Sequence, residues 1–139
     1  MEIPNSLAER FVTRGAILHS TIFKNIDHGK FFVVIGVSSE YVAGLFFINS
    51  NINRYLMNKQ EQLNMQYGIK KSDYGFLKHN SFISASSLLT MSISELTDTI
   101  QNGTTNYIDN LREEHLRELL EAARKSKLFS KREKKEYFY

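Results

Sequence analysis

The chain has 139 residues, 42% of them hydrophobic and 24% charged, with no cysteine, no tryptophan and a single proline, Pro4. Such a composition fits one ordinary domain spanning 1–139, and the lack of cysteine excludes a disulfide scaffold, a thiolate metal site and a cysteine nucleophile together. The formal net charge of +3 is unevenly divided: residues 1–123 carry 11 Lys and Arg against 13 Asp and Glu, a net −2, while residues 124–139 carry 7 against 2, a net +5.

In chain order, residues 15–23 (GAILHSTIF) read as a first strand, with Ile17, His19, Thr21 and Phe23 alternating against Ala16, Leu18, Ser20 and Ile22. Turn-rich composition at 24–30 separates it from a second strand at 31–37, nearly all apolar, of the kind buried on both faces or lining a small barrel. A third apolar strand follows at 44–48 (GLFFI). The links between these strands are too short for crossover helices, so an antiparallel meander is expected.

Residues 54–65 suit a helix or a loop equally, leading into a strand around 63–69. Turn composition at 70–75 precedes a weakly alternating strand at 76–84. Ser92 and Glu95 form a Ser-x-x-Glu capping box, which predicts a short helix ending near Gly103. A longer amphipathic helix is expected over about 106–127, with Ile108, Leu111, His115, Leu119 and Ala122 on one stripe. The strand-rich core thus spans about 12–90, the helices about 92–127 and a basic tail 128–139. The simplest reading of the tail is a solvated end, and the other is an arm for phosphates. The longest purely apolar run, 31–35, is five residues against the roughly 20 needed to span a bilayer. No membrane association and a cytoplasmic location are expected.

The order of these pieces resembles the PemK/MazF family of toxin-antitoxin endoribonucleases. The matching segments are GAIL from Gly15, HGKFFVVI from His28, GLFFINS from Gly44 to Ser50, and YGFLKHNSFI from Tyr74 to Ile83, within roughly residues 12–100. The resemblance implies an α+β, mainly β fold: a small SH3-like antiparallel barrel with C-terminal helices. It also implies a homodimer, an antitoxin protein as partner, and cleavage of single-stranded RNA without a metal. The family's arginine at the head of the second strand falls on Lys30, followed by Phe31 where proline is usual, and its hydroxyl residue falls on Ser50.

Metal-free RNA cleavage needs a base for the 2′-OH, an acid for the leaving 5′-oxygen and a cation for the phosphorane. His28, in the loop before the second strand, and His79, entering the late strand, are of the type that titrates nearest neutrality. Lys30 would meet the phosphate and Ser50 donate to a phosphoryl oxygen, although lysine lacks the bidentate fork of arginine. Tyr55, Tyr67 and Tyr74 lie in polar segments and could stack bases. With residues 1–123 net negative, RNA affinity must come from local cations such as Lys70, Lys71 and Lys78, or from the tail. His19 reads as a strand residue and His115 as packed or paired. The four histidines have no metal-ligand spacing, and no cofactor is expected. The alternative is a catalytically degenerate barrel that binds nucleic acid or protein.

Overall fold

The computed structural model describes residues 8–23 and 28–139. The strands are β1 (Ala16–Ser20), β2 (Lys30–Val37), β3 (Val42–Asn49), β4 (Gln66–Ile69), β5 (Ser81–Ser84), β6 (Leu89–Ser92) and β7 (Thr105–Asn110). The helices are α1 (Gln60–Asn64), α2 (Ile93–Gln101), α3 (Glu113–Lys125) and α4 (Lys131–Glu133), the last running into a π-helical turn at Lys134–Phe138. The fold is α+β, with all pairings antiparallel. Strand order is β4-β5-β3-β2-β1-β7, and β6 pairs with the half of β3 that β5 leaves free. Among the described residues this sheet is open, with β4 and β7 at its two ends, so these pairings do not close a barrel. Part of the turn-rich stretch expected at 24–30, residues 24–27, lies outside the described residues.

Two-sided burial explains the uninterrupted apolar character of β2 and β3. Phe32, Val34, Ala43 and Leu45 pack with Leu18, Val12, Leu96 and Ile100 under α2 and the N-terminal turn. Val33, Ile35, Phe46 and Ile48 pack on the other face with Ile17, Leu119, Leu120, Phe129, Tyr137 and Phe138. Of the two meanings open for a continuous apolar strand, burial on both faces is the one observed.

Residues 128–139 are therefore neither a solvated tail nor a free arm. Phe129, Tyr137 and Phe138 are buried, and Ser130 and Glu133 complete a reciprocal capping box that turns the chain back onto the sheet. The seat for this segment is a pair of glycines opposed across β2 and β3, Gly36 and Gly44. A Cβ at Gly36 would lie 2.2 Å from the Tyr137 carbonyl oxygen, and one at Gly44 would lie 2.7 Å from the Tyr137 ring. Arg14 clamps the same segment, donating from Nε to Ile35 O at 2.7 Å and from Nη2 to Tyr137 O and Tyr139 O, both at 3.0 Å. Arg124 Nε donates to Phe138 O at 2.6 Å.

The helix expected over 106–127 divides here. Thr105–Asn110 is strand β7, paired along β1, and only from Glu113 does the chain become helical. The run Thr-Asn-Tyr-Ile has strand character that the helical spacing of Ile108 and Leu111 masked. The predicted α2 forms as expected, with Ser92 Oγ accepting from the Glu95 amide at 3.1 Å. The stretch 54–65 splits into a 3₁₀ turn, Arg54–Leu56, and α1. Among the described residues no helix is long and apolar enough to cross a membrane.

Replacing Phe138 by Ala should cost about 3–5 kcal/mol in urea unfolding, as for other large-to-small core changes. Gly36→Ala should also destabilise, because the carbonyl it would meet is backbone and cannot swing aside. Equal midpoints for wild type and both variants would refute the docked C-terminal segment.

A candidate active site at one end of the sheet

The antiparallel order gathers the end of β1, the start of β2, the end of β3 and the start of β5 at one end of the sheet. A cleft of about 470 Å³ opens there. It is lined by His19, His28, Lys78, His79, Ser50 and Ser81 over an apolar floor that includes Phe31, Ile48, Phe76 and Leu77. His28, Ser50, Lys78 and His79, chosen from three separate segments of sequence, thus meet in one place. No carboxylate occurs among the described lining residues.

Lys30 reaches the cleft wall but turns its charge elsewhere. Phe31 pairs with Ile48 on the face that bears the cleft floor, and strand alternation sends Lys30 to the opposite face. There its Nζ donates to Asn49 Oδ1 and lies 5.5 Å above the ring of Phe47, which packs with the other core. Burial holds its pKa below the usual lysine value. Of the two lysines among the described lining residues, Lys78, exposed on the loop before β5, is the one placed to meet an anion in the cleft. Lys70 and Lys71 are exposed on the same loop but are not part of the cleft lining.

Tyr74 cannot serve as a base-stacking residue, because it is only 2% exposed. Its hydroxyl accepts the Arg112 amide at 2.9 Å and shares a hydrogen bond with His115 Nδ1 at 2.6 Å. Asp73 adds an ion pair with Arg112 at 3.4 Å. Both contacts tie the loop at 70–80 to the start of α3, so Tyr74 anchors the loop that carries Lys78 and His79. Within the loop, the Lys71 amide donates to Asn80 Oδ1 at 2.9 Å and Ser81 Oγ donates to His79 O at 2.9 Å. Of the other tyrosines considered, Tyr67 donates to Glu118 Oε2 at 2.6 Å, while Tyr55 is 82% exposed on the 3₁₀ turn that follows Ser50.

A file of rings links this anchor to the cleft. Tyr74 packs on Phe76 at 6.1 Å, Phe76 on Phe31 at 4.9 Å, and Phe31 on His19 at 4.6 Å between ring centroids. His19 is the lining residue that strand alternation disguised as structural. The signal that could have exposed it is its spacing: it falls one residue before the last of β1, at the same sheet end where His28 enters. Among the described residues no three His, Asp or Glu side chains are grouped as metal ligands.

Burial pushes the Tyr74 phenol upward, against the Arg112 amide, which favours the phenolate. Burial also raises Tyr67, and the neighbouring Glu118 carboxylate adds to the shift. The unfolded chain would ionise these phenols first, so their contribution to stability persists below about pH 10 and is lost as pH rises beyond it. An alkaline titration should therefore show part of the phenolate absorbance appearing only with loss of the folded circular dichroism signal. Tyr74→Phe should lower stability by about 1–3 kcal/mol, because the Arg112 amide loses its acceptor and His115 its hydrogen-bond partner. A variant as stable as wild type would show that the anchor carries no weight. No model of a known protein family matches the chain, and no curated protein is similar to it in sequence.

Proposed function

We propose that the chain is an endoribonuclease acting on single-stranded RNA without a metal, with the cleft at the end of the sheet as its active site. The observation that carries this reading is the convergence of His19, His28, His79 and Lys78 on one cleft with an aromatic floor and no carboxylate among its described lining residues. An imidazole accepts the 2′-OH proton as the 2′-oxygen attacks phosphorus. A second protonates the 5′-oxygen as the P–O5′ bond breaks, leaving a 2′,3′-cyclic phosphate and a 5′-hydroxyl. His28 and His79 fill these two roles. Lys78 faces the charge that builds on the phosphoryl oxygens, and Ser50 donates to one of them. Phe31 and Phe76 offer ring surface to a splayed base.

This reading accords with the PemK/MazF resemblance, including a toxin role held in check by an antitoxin and a homodimeric assembly. The consecutive antiparallel pairing of β1, β2 and β3 supports an SH3-like arrangement of the first strands. One observation favours the alternative, a degenerate RNA-binding module: the ammonium of Lys30, at the family's arginine position, is engaged by Asn49 and Phe47 on the far face.

Purified protein should cut single-stranded RNA to cyclic-phosphate ends in the presence of EDTA, with a rate that rises and then falls with pH. His28→Ala and His79→Ala should each slow cutting on the order of 10²-fold, while Lys30→Ala should leave it nearly unchanged. RNA left intact but bound, with affinity falling as salt rises, would favour the binding module. Intact and unbound RNA would remove both readings. Induced expression of wild type beside His79→Ala tests the toxin role, and equal growth would refute it.

A further inference from the structure

We infer that His19 is a positioning residue for His28, an inference that rests on the endoribonuclease reading of the cleft. His19 pairs with Phe31 across β1 and β2 and packs its ring against that phenylalanine. Its Nε2 lies 3.1 Å from the His28 carbonyl oxygen. A carbonyl can only accept, so Nε2 carries the hydrogen and donates it. The next residue, Gly29, has φ +73°, in the left-handed region that favours glycine. A Cβ there would lie 2.6 Å from His19 Cε1, 2.8 Å from Nε2 and 2.8 Å from Ser20 O. The backbone of His28 and Gly29 is therefore laid directly on the imidazole, held by a hydrogen bond on one side and by the missing side chain on the other.

A strand residue that only filled space beside Phe31 would need neither a ring nitrogen nor a glycine opposite. Both features act on the same two residues, and one of those residues presents an imidazole to the cleft. Small errors in the placement of a catalytic group are costly, about 10²-fold for a displacement near 1 Å. His19 thus acts through His28, fixing the main chain from which that side chain reaches substrate.

The test combines amide hydrogen exchange at residues 28–30 in the RNA-free protein with cleavage kinetics. His19→Ala should speed exchange at these amides and lower kcat about 10–100-fold, with KM changed little. His19→Gln, whose side-chain amide also donates, should recover both most of the protection and most of the rate. Gly29→Ala should resemble His19→Ala, and the double variant His19→Ala/His28→Ala should be no slower than His28→Ala alone. If His19→Gln is as slow as His19→Ala while exchange at 28–30 is unaltered in both, His19 acts on the substrate itself and the positioning role is overturned. If wild type does not cut RNA, the endoribonuclease reading fails, and exchange alone decides: unaltered protection in His19→Ala refutes the positioning contact, and lost protection supports it.

Discussion

Strands β2 and β3 carry large apolar side chains on both faces, and such a sheet cannot stand in water with either face bare. At roughly 25 cal/mol for each Å² of apolar surface left exposed, uncovered Phe46, Ile35 and Val33 on one side, or Phe32, Val34 and Leu45 on the other, would consume much of the narrow margin of a domain this size. Two covers are therefore obligatory. One is α2 with the N-terminal turn, and the other is α3 with the C-terminal segment. The second cover comes closer than side-chain packing normally allows, because Gly36 and Gly44 remove the intervening side chains and let the Tyr137 backbone meet the sheet. Arg14 and Arg124 then satisfy carbonyls that this close approach would otherwise leave without donors.

That arrangement changes what the basic C-terminal end can do. Its cations are fixed on a docked element, with Lys131, Arg132 and Lys135 exposed. The net +5 is carried by a segment in which Phe129, Tyr137 and Phe138 belong to the core, so the sequence pattern is that of a charged outer face on a buried strip. The alternation of basic residues with Phe129, Tyr137 and Phe138 was present in the sequence, as was the Ser130-x-x-Glu133 cap, but charge density there reads as solvation unless the aromatics are weighed first.

Where local chemistry and burial agree, the sequence was readable. The β1–β2–β3 meander and the Ser92 cap of α2 depend on short-range periodicity and on one side-chain oxygen, and both form where expected. Residues 105–110 were not readable, since Ile108 and Leu111 have helical spacing and only pairing along β1 makes the segment a strand. The same limit governs the site. His28, Ser50, Lys78 and His79 could be picked by residue type, because loops at strand ends present such groups. The direction of Lys30 and the burial of Tyr74 depend on strand parity and on a long-range partner, His115, which no local pattern contains.

The cleft and the core are joined by contact rather than by sequence. His115 and Arg112 hold Tyr74, Tyr74 packs on Phe76, Phe76 on Phe31, and Phe31 on His19, so the start of α3 is linked through packed rings to the cleft wall. The linkage explains why a loop bearing exposed Lys78 and His79 can hold a defined place: its mobile-looking polar tip is tied down at Tyr74 and closed by Asn80. Preorganisation of this kind is what the proposed reaction would draw on, because its charge stabilisation comes from side chains whose positions the fold itself sets. It also places the cost of the site in the core. Loosening the Tyr74 anchor would let the loop's lysine and imidazole drift from the cleft and would also draw Tyr74 and Leu77 out of the core that covers this face of the sheet.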